Sequence, residues 1–246
     1  MMIGIGAAVK LVPAILLLPL LFVAPRDRRR ALLGGFAAVI ALAILPFVFV
    51  LPDVYRSVIE YHTGRGIQAE SIWGAGLLVA GRLADYPVAV VASHRAWDAA
   101  SALTGTLKLA SNGLSVVAIA GVGVMAVRTK VGQLARASLL QLGLLSVLVG
   151  VGRVYSPQYV IWLVALGAVA MALAPRAAAP AVAVLAVTTL LAHLEFPIWF
   201  WDVLFYDKGG ALIVLAVRDV LTLVVGLLAL WAWRSRSLAA AAPTPA

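Results

Sequence analysis

The residues best suited to chemistry gather in one polar segment, residues 53–71, within a sequence that is otherwise mostly apolar. This segment holds three of the ten acidic residues and one of the three histidines: Asp53, Glu60, Glu70 and His62. It also contains Arg65, and an arginine can hold a phosphate through two parallel hydrogen bonds. Ionisable groups are costly inside a bilayer, so their concentration between apolar runs predicts a site at one membrane surface.

Two further polar stretches interrupt the apolar sequence. The first is Arg153-Val154-Tyr155-Ser156-Pro157-Gln158-Tyr159, which local chemistry predicts to be a tight turn between two spans. The second is the predicted loop Glu195–Lys208, whose Trp199 and Trp201 suit an interfacial belt, with a platform for a sugar as the alternative. We expect all three stretches to lie at the same, outer rim.

Metal and cofactor chemistry has no motif to support it. The three histidines are widely spaced, at His62, His94 and His193, and the chain has no cysteine. This pattern argues against a zinc site, and the sequence has no phosphate-binding loop or dinucleotide fingerprint. We therefore predict neither a metal nor a cofactor, and redox compartment cannot be inferred from cysteine usage.

Composition places the chain among helical membrane proteins. Of its 246 residues, 64% are hydrophobic and 12% are charged, and the mean hydropathy is +1.06, whereas a soluble domain carries about 25% charged residues. Apolar runs near the roughly 20 residues of a spanning helix recur along the chain. They predict an all-α, polytopic membrane protein with about seven spans, at residues 3–25, 31–51, 112–127, 134–152, 158–174, 179–194 and 211–233.

Basic residues predict the orientation of these spans. The cluster Arg26–Arg30 marks a cytoplasmic loop, so the amino terminus is expected outside, the carboxyl terminus in the cytoplasm, and residues 53–111 in an extracytoplasmic region. The predicted localisation is a plasma membrane of bacterial type. The formal net charge of +9 is assigned to such loops rather than to nucleic-acid binding. Residues 1–237 form a single transmembrane domain, and residues 238–246 are predicted to be a disordered tail.

The region after the second span is predicted to lie on the outer side without crossing. A short surface helix is expected to start at Pro52-Asp53, with Asp53 as its cap, and to stop at Gly64. Residues 72–81 are interpreted as a re-entrant or surface helix and 82–111 as a loop, because a full span would bury Arg82 and Asp85 at about 3 kcal/mol each.

Three motifs carry a resemblance to a known family. Arg65-Gly66-Ile67-Gln68-Ala69-Glu70-Ser71 resembles the Arg-Gly-Leu-Gln-x-Glu-Ser segment of glycosyltransferase family 87, in the GT-C superfamily. Tyr155–Leu163 is similar to its Phe-Ser-Pro-Gln-Tyr-Leu-x-Trp-Leu turn, and Lys10-Leu11-Val12-Pro13 to its Lys-x-x-Pro span. The resemblance implies a GT-C-like fold and a transferase, typically for mannose, that uses a polyprenyl-phosphate sugar donor and a glycolipid or glycan acceptor.

The resemblance also implies a set of substrate-binding residues, and it has two departures. The set is His62, Arg65, Gln68, Glu70, Arg153, Tyr155 and Gln158. The acidic base of such enzymes usually lies on a first outer loop in the amino-terminal half, which this sequence does not contain. The match is therefore to the carboxyl-terminal part of a family member, upstream spans are expected, and no catalytic base is assigned. The second departure is Arg218-Asp219, where Arg followed by Asn is expected.

Alternatives remain open for several of these residues. Arg65 could bind lipid headgroups, and Glu70 could cap the helix at residue 72 or pair with Arg65. Lys10 and Asp219 are expected at similar depths, about 10 Å below the outer surface at 1.5 Å per residue. Adjacent helix positions do not face each other, so we predict that Lys10 or another cation, rather than Arg218, pairs with Asp219 across spans.

Two other classes of function compete with the transferase. A transporter or flippase for an amphipathic envelope precursor would place polar residues near the bilayer midplane, often in broken helices. A non-catalytic assembly subunit is the third possibility. The expected rim location of the polar stretches favours the transferase, and the fragment alone is expected to be inactive.

Overall fold

The computed structural model of the chain describes residues 12–49, 51–94, 96–129, 133–205, 209–235 and 238. Lys10 lies outside these ranges, as do all but one of the residues of the predicted tail. The predicted contact between Lys10 and Asp219, and the predicted disorder of residues 239–246, therefore concern residues that the structure does not describe.

Helices dominate the described residues. In chain order they are α1 Val12–Val23, α2 Arg26–Phe49, α3 Pro52–Gly64, α4 Ile72–Ala84, α5 Thr104–Val127, α6 Leu134–Val151, α7 Val160–Leu173, α8 Pro175–His193, α9 Phe200–Leu204 and α10 Gly209–Ala232. A 3-10 turn, Pro157–Tyr159, precedes α7, and a π-helical turn, Leu194–Ile198, follows α8. Two short strands, β1 Ala89–Ser93 and β2 Ala96–Ala100, pair antiparallel.

Four of the described helices are long and apolar enough to cross a membrane, rather than the seven predicted. They are α5, α6, α8 together with the turn to Ile198, and α10. The chain is therefore a helical protein with membrane-spanning character. α7 has 14 residues, fewer than the roughly 20 that a bilayer needs. The basic cluster predicted as a loop instead forms the first turns of α2, which begins directly after Pro25.

Residues 72–93 contain no helix of spanning length, as predicted, but the expected loop 82–111 holds a hairpin and the first turns of α5, a helix long enough to span. α4 runs three residues beyond the predicted end at residue 81 and stops at Ala84, where Asp85 adopts a left-handed backbone with φ of 50°. The β1–β2 hairpin follows, with Ser93 paired to Ala96 across a two-residue turn. α5 then begins at Thr104, eight residues before the predicted residue 112.

The central packing of the fold is the contact between α6 and α10. A methyl group added to Gly226 would lie 2.7 Å from a methyl of Val147, and one added to Gly143 would lie 2.6 Å from Leu230. Small residues allow helices to approach closely where an apolar solvent gives no hydrophobic drive. Leucines of α6 and α7, with apolar residues of α8 and α10, complete this core. The first turns of α10 pack in a second cluster with Ala69 of the loop 65–71.

α3 lies between Pro52 and Gly64, as predicted, but its start differs in detail. Leu51 occupies the cap position and no side chain caps the helix, so the prediction that Asp53 is the cap is wrong. Asp53 instead lies in the first turn, where its exposed carboxylate is 3.9 Å from exposed Arg56. A carboxylate there still interacts favourably with the positive end of the helix dipole.

Candidate functional site

The structure joins two of the predicted site segments directly. The backbone N–H of Gln68 donates to the Arg153 carbonyl at 2.9 Å. The Arg153 guanidinium in turn donates to the carbonyl oxygens of Arg65 at 3.2 Å and His62 at 2.9 Å. Residues separated by about 90 positions in the chain therefore lie side by side. We call this arrangement of exposed His62 with half-buried Arg65 and Arg153 the rim.

The loop 65–71 is held rigidly although it has little regular structure of its own. Its Ala69 N–H donates to the Trp97 carbonyl, and the Ala99 N–H donates to the Ile67 carbonyl, both at 2.8 Å, so the loop pairs with β2. Asp98 accepts the Gly66 N–H at 3.2 Å, and a methyl group at Gly66 would lie 2.5 Å from that carboxylate. This pairing fixes the position of the backbone that carries the Arg65 side chain.

The two rim arginines play different parts. Arg153 donates from its guanidinium to two backbone carbonyls, so its first effect is to hold the end of α3 and the following Arg65 in place. Arg65 lies 5.4 Å from the centre of the Tyr61 ring, and its buried Nε has no hydrogen-bond partner in the described part of the chain. A buried donor without a partner is costly, and this Nε is a donor that an anion could accept from.

The remaining predicted residues divide between the surface and the interior. Gln158 is exposed in the 3-10 turn, and His62 is exposed at the end of α3. Gln68, Glu70 and Tyr155 are buried. The Gln68 amide donates to the Glu70 carboxylate, and Ser71, rather than Glu70, caps α4 by accepting the Gly74 N–H at 3.2 Å.

The buried residues surround the guanidinium of Arg218, which is completely inaccessible. Arg218 donates to the Glu195 carboxylate, to the Glu70 backbone carbonyl and, at 2.8 Å, to Asp219 Oδ1. It also lies 4.1 Å from the centre of the Tyr155 ring, whose hydroxyl is 2.9 Å from Thr222 Oγ1. One side chain of α10 therefore joins the loop 65–71, the turn at Tyr155 and the turn after α8; we call this the Arg218 cluster.

The prediction that Arg218 does not neutralise Asp219 is wrong. Arg218 Nε and Nη2 donate to Asp219 Oδ1 at 3.1 and 2.8 Å. The prediction followed the outward directions of neighbouring side chains on a helix, but an arginine stem is long enough to curl back to the next residue. A cation does pair with Asp219, as expected, but it belongs to the same helix.

The electrostatics of the Arg218 cluster are unbalanced. Three buried carboxyl groups, those of Glu70, Glu195 and Asp219, face one buried guanidinium. Burial raises the pKa of the Glu70 carboxyl above its usual 4.5, against the opposing attraction of Arg218. Oxygen atoms without a hydrogen-bond partner remain buried on Glu195 and Asp219, within the part of the chain that the structure describes.

Sequence reasoning missed Glu195, Arg218 and Thr222 as members of a site. Glu195 was assigned to an exposed loop, whereas it is completely buried in the π-helical turn. The available signal was the presence of ionisable residues within or beside apolar helices, which are functional candidates by default. Among the described residues, no group of three or more His, Cys, Asp or Glu side chains could hold a metal ion.

The aromatic residues of the third polar stretch pack against the hairpin. The rings of Trp97 and Phe205 are 4.9 Å apart, and Trp201 stacks on Phe205 at 5.8 Å. Trp201 is still 53% exposed, and its place in an interfacial belt stays a prediction. No contact in the described residues places it beside the rim arginines.

Comparisons with protein-family models, with curated proteins and with solved structures found no match to this chain.

Proposed function

We propose that this chain is the donor-binding part of a membrane glycosyltransferase that uses a polyprenyl-phosphate sugar, with mannose as the expected sugar and an envelope glycolipid or glycan as the acceptor. The observation that carries the proposal is the direct attachment of Arg153 to the loop of Arg65. It brings two short polar motifs from distant parts of the chain to one surface, next to helices of membrane-crossing length.

The position of the Arg65 guanidinium is the first support. Arg65 lies on a loop whose position is fixed by β2 and by Arg153. Its Nε has no hydrogen-bond partner among the described residues. A fixed donor costs less entropy on binding than a mobile one. Charge-assisted hydrogen bonds contribute about 1.5–3 kcal/mol each, so one such contact with a phosphate corresponds to a tenfold or greater change in affinity.

An apolar surface beside the rim is the second support, because a polyprenyl tail needs one. Ser111 of α5 donates to the Val151 carbonyl at 2.8 Å, two residues before Arg153. The side of α5 that faces away from this contact is apolar and exposed, with Leu109 at 74% and Val116 at 66% exposure. A phosphate at the rim arginines and a hydrocarbon tail along α5 would fit one lipid molecule.

The proposed reaction follows from these positions. The acceptor hydroxyl loses its proton to a carboxylate and its oxygen forms a bond with the anomeric carbon, while the bond from that carbon to the phosphate oxygen breaks. The leaving lipid phosphate keeps the electron pair of the broken bond, and Arg65 stabilises its growing charge. The carboxylate base is not assigned to a residue of this chain.

Transfer of labelled mannose in native membranes tests the proposal. The gene is altered in place, and membranes receive polyprenyl-phosphate mannose as the donor. Arg65→Ala and Arg153→Ala should each lower transfer at least tenfold, and together by less than the product of the two losses, because residues acting as a unit are not additive. Arg65→Lys should already be damaging, since lysine keeps the charge but loses the paired donors.

Arg56 supplies the matched control for this assay. It is an exposed arginine on the neighbouring helix α3, paired only loosely with exposed Asp53 at 3.9 Å. Arg56→Ala should leave transfer unchanged. Equal losses in the Arg56 and Arg65 variants, or full transfer in the absence of Arg65, would contradict the proposal.

One observation favours a transporter or flippase as the second candidate. Arg218 is the tenth residue of α10, so it lies about 14 Å along that helix at 1.5 Å per residue. Buried charges at such depth, beside the interrupted helix at Leu194–Ile198, are typical of transport sites. Movement of a lipid-linked sugar across vesicles without sugar transfer would favour this candidate over the transferase.

A further inference from the structure

Glu70 and Glu195 meet at the guanidinium of Arg218, which donates to the Glu195 carboxylate and to the Glu70 backbone carbonyl. Their two carboxyl groups also interact with each other. Two ionised carboxylates side by side repel each other and offer only acceptors, so a proton bound by one of them relieves the repulsion and provides a donor. Both side chains are buried, with exposures of 5% and 0%. The pair is therefore shielded from water. In an exposed pair, water molecules would hydrogen-bond to both carboxylates and no shared proton would be needed.

The groups around this pair also favour one bound proton. α10 supplies the guanidinium of Arg218 and the carboxylate of Asp219, and these two groups already bind each other. The loop 65–71 supplies Arg65, whose charge acts on Glu70, and the turn after α6 supplies Tyr155. One fully buried cation faces three acids, so full ionisation would leave the interior with excess negative charge.

Unpartnered atoms point the same way. Glu195 Oε1 is buried and has no hydrogen-bond partner in the described part of the chain, while Glu195 Oε2 accepts from Arg218. The Glu70 carboxylate has the Gln68 amide as its other neighbour. A proton on this pair can therefore use Glu195 Oε1, an oxygen that no donor of the described residues reaches.

We propose that Glu70 and Glu195 form a buried site for one exchangeable proton, shared between them and held in place by Arg218. Loss of this proton would place two negative charges against each other behind the loop 65–71. That loop is attached to Arg218 through the Glu70 carbonyl, so proton release would loosen the loop that carries Arg65. The site is independent of the proposed transferase function and would serve either candidate.

Infrared spectroscopy of the full chain in lipid vesicles tests this directly. A protonated carboxyl group has its own stretching band, which shifts when glutamate carries a heavy carbon in its side-chain carboxyl. The expected result is a glutamic acid band at neutral pH that disappears in alkaline buffer. Because this measurement uses the unaltered protein, it does not depend on any variant folding. Absence of a protonated glutamic acid band at neutral pH would overturn the proposal.

Substitutions then decide whether the proton is shared. Glu70→Gln and Glu195→Gln should each abolish the band, because either change leaves one carboxylate next to Arg218 and an uncharged neighbour. A band that survives either substitution would mean that a single acid holds the proton alone, and the proposal would be wrong. Glu60→Gln is the matched control, since Glu60 is an exposed glutamate of α3, and it should leave the band intact.

Discussion

Arg218→Gln is the sharpest perturbation of this fold, because it removes the only guanidinium of the Arg218 cluster while keeping a polar side chain. Arg218 binds two carboxylates and one backbone carbonyl from three separate elements. Glutamine carries no charge and has one donor group, so Glu195 and Asp219 would remain buried without a cation.

The size of the effect follows from that burial. Removing one partner of a buried ion pair costs about 3–5 kcal/mol, because the remaining charge is uncompensated. Domains have total stabilities of about 5–15 kcal/mol, so the variant should lose a large part of its folding free energy. A second substitution, Glu195→Gln, should restore part of it, with a coupling of about 0.5–3 kcal/mol.

Unfolding in mixed detergent micelles, followed by the fluorescence of the seven tryptophans, measures this loss. The control is Arg56→Gln, whose ion pair has side chains 75% and 94% exposed and should contribute within about 0.5 kcal/mol. Equal stability of the Arg218 and Arg56 variants would refute the account of the cluster, as would a double variant less stable than Arg218→Gln alone.

Three further predictions concern the loop and its supports. Gly74→Ala should lower the free energy of unfolding by about 1–3 kcal/mol, because its methyl would lie 2.2 Å from the Gln68 carbonyl oxygen. Gly76→Ala, whose methyl would have nothing within 4 Å, should be neutral or stabilising by up to about 1 kcal/mol. A lower melting temperature for the Gly76 variant than for the Gly74 variant would contradict this. The pKa of Glu70 is raised above 4.5, so the folded state keeps this proton to a higher pH than the unfolded state does. The free energy of unfolding should therefore fall as pH rises from 4.5 through the raised pKa, and Glu70→Gln should remove that part of the pH dependence. An unchanged pH dependence in the variant would count against this prediction. Because the chain has no cysteine, a single cysteine at Ser101 should react with an impermeant reagent from outside intact cells, and labelling only after lysis would show the orientation to be wrong.

The long helices of the core could be predicted from hydropathy alone. α6 and α10 lie within two residues of the spans predicted at 134–152 and 211–233, because an uninterrupted apolar run allows few other structures in a membrane. α7 was predicted as a span but has 14 residues. Pro157 and Pro175 lie just before and just after this helix, and their spacing in the sequence indicates a helix too short to span.

The hairpin could not be predicted as readily. Its strands have five residues each and are rich in alanine, a residue depleted in strands. Its two-residue turn begins with His94, which has a φ of 48°, where glycine or asparagine would have signalled the turn. The pairing of β2 with the loop 65–71 depends on tertiary contacts, so no local pattern marks it.

The candidate site likewise has a part that the sequence predicts and a part that it does not. The motifs around Arg65 and Arg153 were found in the sequence, and the structure brings their backbones together. Glu195 and Arg218 were not assigned to it, because their partners lie 23 or more positions away and spacing along the chain carries no sign of that contact. Charges inside apolar helices are the sequence signal for this part of the site.

Photocrosslinking with a lipid donor tests the central claim most directly. A polyprenyl-phosphate sugar carrying a photoreactive group beside its phosphate is added to the full chain in lipid vesicles, and the modified peptides are sequenced. We predict modification of residues 62–68 and 153–159, prevented by excess polyprenyl phosphate but not by the uncharged polyprenol, and lost in Arg65→Ala while retained in Arg56→Ala. Modification confined to other segments, or competition by the alcohol as strong as that by the phosphate, would contradict a phosphate site at the rim.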